Sequence, residues 1–203
     1  MASGLEPGSA PPGPRSLPLD LFETLRRVAR DRSIRLRRAT LADAESLARG
    51  VIEGVEDYPS FAPPGWAAPS FQEELKHLRK TLADSDVCCV VAEAEGALVG
   101  QITLLPAAHA PHPIEDSSLA HISNLFVRRD YWGGGPAVDL HRAALEAANA
   151  RGFTELRLFV AAGQARARRF YEREGWLPTG EPFDDPIPGL TMIEYRYRFP
   201  DRA

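Results

Sequence analysis

The chain has 203 residues, 44% of them hydrophobic, which suffices for one sizeable core and leaves a second full domain cramped. A net charge of −4 with acids and bases interspersed gives no argument for a nucleic-acid surface, and the longest apolar runs fall far short of a membrane span. Cys88 and Cys89 are adjacent, point to opposite faces of a strand and read as small core residues, and no basic-then-apolar leader opens the chain. A cytoplasmic protein is expected.

In chain order, residues 1–32 read as an extension. Pro7, Pro11, Pro12, Pro14 and Pro18 with Gly4, Gly8 and Gly13 make a tail that cannot pack. Leu17 to Arg30 then predicts a short amphipathic helix with Leu21, Leu25 and Val28 on one side. It can dock on its own domain or on a partner subunit, the latter giving a homodimer. The domain itself is expected over residues 33–203. Ile34 to Arg38 is a strand. Thr40 with Asp43 resembles a capping box ahead of Ala44, Leu47, Ala48 and Val51, and Ser70 with Glu73 repeats the signal ahead of Phe71, Leu75, Leu78 and Leu82. Val87 to Ala92 and Leu98 to Leu105 predict a hairpin around Glu95-Gly96. Leu119 to Val127 is the central strand, followed by a helix from Pro136 to about Ala150. Leu156 to Val160 is a strand that a helical crossover makes the parallel neighbour of the central one. A helix over Gln164 to Glu174 and strands over Trp176 to Phe183 and Thr191 to Phe199 complete the chain.

The loop Trp132-Gly133-Gly134-Gly135-Pro136-Ala137 between the central strand and its helix is the most informative segment. Glycines let main-chain N–H groups point outward, and the helix start at Pro136 adds the positive end of a dipole, so the segment suits a pyrophosphate. No Gly-Lys-Ser/Thr follows the glycines, which removes the Walker reading, and no strand–turn–helix opens the domain as a dinucleotide fold would require. His109 and His112 flank Pro111 without a third ligand nearby, so no metal site is expected.

The loop resembles the acetyl-CoA loop of the GNAT superfamily of N-acetyltransferases. In that family, Q/R-x-x-G-x-G/A follows a strand ending in Leu-x-Val; here Leu125-Phe126-Val127 ends the strand, Gly135 matches the fixed glycine and Ala137 the final small residue. Trp132 stands where Gln or Arg is usual. Downstream, Ala167-Arg168-Arg169-Phe170-Tyr171-Glu172-Arg173-Glu174-Gly175-Trp176 is similar to the family's A-x-x-Φ-Y-x-x-x-G-F/W signature, and Gln164 takes the place of a common Asn. The resemblance covers about Ile34 to Phe199. It implies an α/β fold of the GNAT type: a mixed sheet with a splayed central parallel strand pair, flanked by helices.

The resemblance also implies the chemistry. The pantetheine arm of acetyl-CoA would lie along Asn124 to Val127, with a main-chain N–H near Leu125 polarising the thioester carbonyl. Tyr171, a phenol with an ordinary pKa near ~10, would protonate the departing thiolate. His121 lies where relatives often carry a carboxylate and is the candidate base, with Glu53, Glu56 and Asp57 behind it. Arg128, Arg129, Arg166, Arg169 and Arg173 are candidate phosphate partners, with Arg168 or Arg169 the candidates for the 3′-phosphate. Residues 56–66 and 183–189, stiff and aromatic or acidic, are candidate acceptor segments suited to a cationic amine. The expected activity is acetyl transfer from acetyl-CoA to a primary amine of a small molecule by direct attack, with no metal. The alternatives are a protein N-terminal acetyltransferase and a non-catalytic acyl-CoA-binding regulatory domain.

Overall fold

The computed structural model describes residues 26–29 and 32–200. Its strands are β1 (Arg26–Ala29), β2 (Arg32–Arg38), β3 (Cys88–Ala94), β4 (Ala97–Pro106), β5 (Leu119–Val127), β6 (Glu155–Ala161), β7 (Leu177–Asp185) and β8 (Leu190–Arg198). They form one sheet in the order β1-β2-β3-β4-β5-β6-β8-β7. Only β5 and β6 run parallel; every other neighbouring pair is antiparallel. The helices are α1 (Ala44–Gly54), α2 (Phe71–Ala83), α3 (Pro136–Ala150) and α4 (Ala165–Arg173). This is the mixed sheet with a central parallel pair and flanking helices that the sequence predicts.

The side-chain alternation of the strands sorts the helices onto two faces. On one face Ala44, Leu47 and Ala48 of α1 and Leu75 and Leu78 of α2 pack on Cys89 and Val91. On the other, Leu140, Ala143, Ala144 and Ala147 of α3 pack with Cys88, Val90, Ile102, Leu104, Ile122, Leu156 and Leu158, and this cluster continues to Tyr171 and Trp176. The two cysteines therefore serve different cores, and burial pushes the Cys89 thiol up to about 12, which leaves it inert. Both predicted capping boxes form: Thr40 N–H donates to Asp43 Oδ2 at 2.7 Å, and Ser70 N–H to Glu73 Oε2 at 3.1 Å.

The N-terminal expectation needs correction. Residues 17–25 and 30 of the predicted amphipathic helix lie outside the described residues, but Arg26–Ala29 are a strand, registered antiparallel on β2 from Arg26↔Arg35 to Ala29↔Arg32. Pairing gives partners to main-chain groups along β2 that would otherwise form an open edge, and this tertiary gain outweighs a weak local helical pattern.

Candidate active site

The site begins with a fault in the ladder. β4 and β5 are in register at Thr103↔Ser123 and again at Gln101↔Phe126, so Asn124 and Leu125 together oppose Ile102. Asn124 takes up the extra residue with φ +54°, a left-handed conformation that Asn tolerates better than most residues. The bulge turns β5 away from β6. Their pairing stops at His121↔Arg157, although β5 continues to Val127 and β6 to Ala161. Main-chain groups of β5 beyond that point face a gap instead of a partner strand. Gly100 permits the bulge, because a Cβ there would lie 2.9 Å from both the Phe126 carbonyl oxygen and a Leu140 methyl. On the α1 face, the Phe126 ring lies across Gly50 and Gly54, where added Cβ atoms would stand 3.0 and 3.1 Å from it.

The gap opens into a cleft of about 630 Å³. One wall is the end of β5 and the glycine loop, with Leu125, Phe126, Val127, Trp132, Gly133, Gly135, Pro136 and Ala137 all lining it; Gly134 lies between lining residues without joining them. Gly133 and Gly135 have φ of +77° and +100°, a region that costs a side-chain-bearing residue strain. Gly135 caps α3, and Pro136 occupies its first turn, so the free N–H groups and dipole of α3 point into the cleft. Trp132 braces the loop where the family has Gln or Arg: its indole N–H donates to the Val127 carbonyl at 2.6 Å. Its ring carries the Arg166 guanidinium at 3.1 Å from the centroid and Arg129 at 5.4 Å. Arg129 in turn is held by Asp57 at 2.7 Å.

The opposite wall is α4. Tyr171 is buried, its ring edge-on to Trp176 at 5.8 Å, and Trp176 returns its main-chain N–H to the Tyr171 carbonyl at 3.0 Å. Trp176 is fixed from behind by its indole N–H to His141 Nε2 at 2.8 Å. Burial, and secondarily the neighbouring Tyr58 phenol, push the Tyr171 pKa above its ordinary value, so the hydroxyl keeps its proton at neutral pH. Gln164 lines the cleft beside Tyr58. Arg166, Arg169 and Arg173 line the cleft as well. Arg168 does not: it donates to the Tyr195 hydroxyl and the Ala162 carbonyl, both at 3.3 Å.

The first candidate acceptor segment crosses the mouth of the gap. Tyr58 packs on Phe61 at 5.0 Å and on Trp66 at 5.7 Å. Phe61 fills the space above Gly163 so closely that a Cβ there would be 2.3 Å from its ring. Trp66 donates its indole N–H to the Pro188 carbonyl at 2.7 Å, tying this strap to the second candidate segment. Sequence reasoning singled out both segments but missed Gly163, whose φ is not positive and whose role is purely to leave room; the only signal was a glycine at a strand end facing an aromatic loop.

His121 does not join the cleft lining. It is buried, its ring tilted against Phe159 at 5.3 Å, and its Nδ1 has no hydrogen-bond partner among the described residues. Burial first, then the charges of Arg157 and His112, push its pKa down to about 3. An alkylammonium with a pKa near ~10.4 would not yield its proton to so weak a base. Buried and outside the cleft lining, His121 is not placed where the expected base would have to act. Among the three acids considered with it, Asp57 is taken by Arg129, Glu53 lines the cleft and Glu56 does not. The histidine loop differs from expectation too: His109 meets Asp84 at 3.0 Å, and with Asp86 their potential ligand atoms lie within 4.8 Å of one another, on the surface and outside the cleft. His112 pairs with Asp185 at 3.0 Å.

A model of the Acetyltransferase (GNAT) family matches residues 52–176, more than half of the chain. A curated relative, N-acetyltransferase family 8 member 2 of Rattus norvegicus, is 27% identical over 138 residues, which are 66% of this chain and 60% of that protein. The chain thus matches somewhat under two thirds of that relative's length. The structure of a PaiA N-acetyltransferase from Thermoplasma acidophilum in complex with coenzyme A is similar with a TM-score of 0.60 at 20% identity, over 81% of this chain and 99% of that one. A ribosomal-protein-alanine N-acetyltransferase from Brucella melitensis is similar to the same TM-score, 0.60, at 21% identity, over 81% and 99%. At such identities the structures speak to the fold alone. The family match starts inside α1 and ends at Trp176, taking in the parted strands, the glycine loop and Tyr171 together, and the chain belongs to the acetyltransferase (GNAT) family.

Proposed function

We propose that this protein transfers the acetyl group of acetyl-CoA to a primary amine of a small molecule by direct attack in a ternary complex. The observation that carries the reading is the single cleft joining an anion-binding helix start, unpaired strand backbone and a protonated buried phenol. The pyrophosphate lies on Gly133, Gly135 and the start of α3, and the pantetheine arm pairs with β5 beyond the bulge. The thioester carbonyl takes the Leu125 N–H, a fixed donor already in place before charge develops on the oxygen. The amine nitrogen attacks the carbonyl carbon, the C–S bond breaks, and Tyr171 gives its proton to the leaving thiolate. The acceptor enters beneath the strap, where Tyr58, backed by Phe61 and Trp66, offers a ring face and Glu53 a carboxylate to a cationic amine. The ammonium gives one proton to water before its nitrogen attacks, and the proton the nitrogen sheds on forming the amide restores the Tyr171 phenolate through water. The tie between Trp66 and Pro188 narrows this entrance, which favours a compact amine over an extended peptide.

The test is release of CoA from acetyl-CoA with a panel of small amines and a panel of N-terminal peptides. Saturable release with an amine supports the proposal. Release with peptides alone would make the protein an N-terminal acetyltransferase, and binding of acetyl-CoA without turnover on either panel would make it a regulatory binding domain.

A further inference from the structure

The cleft holds a second phenol. Tyr58 lines it together with Tyr171, although Tyr58 comes from the strap after α1 and Tyr171 from α4 on the opposite wall. Helix geometry turns the two hydroxyls toward one another. Gln164 caps α4 seven positions before Tyr171, which puts both on one face of the helix. A helical side chain leans toward the helix start, so the Tyr171 phenol reaches back along α4 toward Gln164, the residue beside Tyr58. Tyr58 is the titratable neighbour that acts on the Tyr171 phenol. The strap holds Tyr58 in this position: the Tyr58 ring packs on Phe61 and Trp66, Phe61 fills the space over Gly163, and Trp66 is tied to Pro188. The Tyr171 hydroxyl, for its part, is buried and makes no hydrogen bond among the described residues, which leaves it free both to donate and to accept.

Direct transfer contains one step that such a pair suits. As the C–S bond breaks, the sulfur needs a proton and the nitrogen, now bonded to the acyl carbon, carries one too many. Glu53, the acid on the α1 side of the cleft, can store a proton, but an ionised carboxylate is acceptor-only and passes nothing on; Asp57 is committed to Arg129. A hydroxyl accepts and donates in the same event. Burial raises the Tyr58 pKa from its ordinary value, so this group acts as the neutral phenol. Resting on the acetyl-transfer reading above, we infer that Tyr58 is a second catalytic residue, a proton relay whose oxygen takes the nitrogen's proton as its own passes to the Tyr171 oxygen and Tyr171 protonates the sulfur. One N–H bond is exchanged for one S–H bond, the C–N bond replaces the C–S bond, and each phenol ends with the proton count it began with. Tyr58 thus carries the final transfer assigned above to water.

The test is a double-mutant cycle of Tyr58→Phe, Tyr171→Phe and the two combined, read as single-turnover CoA release with an amine that the wild type accepts. Tyr58→Phe keeps the ring on Phe61 and Trp66, so the strap stays in place, and acetyl-CoA affinity near wild type checks the fold. The rate at saturating amine falls about tenfold or more, while the amine concentration for half that rate stays within about twofold. Because both phenols serve one proton path, the double variant is within about threefold of Tyr171→Phe alone. In the wild type the rate falls as a curve across mixtures of H2O and D2O, since several protons move together. A Tyr58→Phe rate within about threefold of wild type, losses that multiply in the double variant, a loss seen only as weaker amine binding, or a straight line in the solvent mixtures overturns the relay and leaves the acetyl-transfer reading standing. Wild-type protein that releases no CoA with any amine removes that reading, and the relay with it.

Discussion

Replacing Tyr171 with Phe isolates one hydroxyl. The ring remains edge-on to Trp176 at 5.8 Å and to Phe170 at 5.3 Å, so packing is kept. The hydroxyl makes no hydrogen bond among the described residues, and its removal leaves no buried partner unpaired; stability should change by less than about 1 kcal/mol. Catalysis should change far more. Burial holds the phenol protonated well past neutral pH, so the whole population carries the proton the thiolate needs, and loss of a general acid costs about 10²- to 10⁴-fold, or roughly 3–5 kcal/mol of barrier. The assay is single-turnover CoA release at saturating amine, which sees chemistry even where product release limits steady turnover. Acetyl-CoA affinity should stay close to wild type. A rate within about threefold of wild type would refute the reasoning and leave Tyr171 as a packing residue.

Trp132→Phe keeps the ring under Arg166 but removes the N–H that holds Val127, and this loss of about 1 kcal/mol of loop order should weaken acetyl-CoA binding roughly fivefold by calorimetry. Unchanged affinity would mean that the loop is braced otherwise. Gly163→Ala should cost about 1–3 kcal/mol in urea unfolding, because the new methyl displaces Phe61, and should raise the KM for the amine more than that for acetyl-CoA. The buried histidines set an acid limb. His141 is pushed down to about 4, by burial above all, and His121 to about 3, so the unfolded chain binds protons that the native one refuses. Stability should therefore be fully present above pH ~6.5 and fall as pH drops from there through about 4 and 3, by several kcal/mol in all. In His141→Gln the fall in that window should be shallower by urea titration across pH; an unaltered slope would place the coupling elsewhere.

How much of this was legible depends on whether the cause was local. The central strand over Leu119 to Val127 and the helix from Pro136 to Ala150 were readable to the residue, because alternation, glycines and a first-turn proline are local signals. The bulge at Asn124 was not, since it is defined by the register of β4 opposite. Arg26–Ala29 read as helix because what makes them a strand is the antiparallel pairing on β2, which no local pattern carries. The glycine loop could be named from its residues and Tyr171 from the resemblance to the family signature, whereas His121 fails on burial, which neither carries. Arg168 and Arg169 were indistinguishable in sequence and separate only when Tyr195 comes up beside α4. Trp132 was visible as a departure from the family pattern, but its bond to Val127 needs the folded loop.

The central claim is that the cleft between β5 and α4 is an acetyl-CoA site, and thermal unfolding in the presence of candidate donors tests it most directly. A ligand that binds only the folded protein stabilises it by about 2.7 kcal/mol at a hundred times its Kd, so saturating acetyl-CoA should raise Tm by several degrees while NAD and ATP leave it unmoved. No shift with acetyl-CoA, together with a shift from NAD or ATP, would contradict the account.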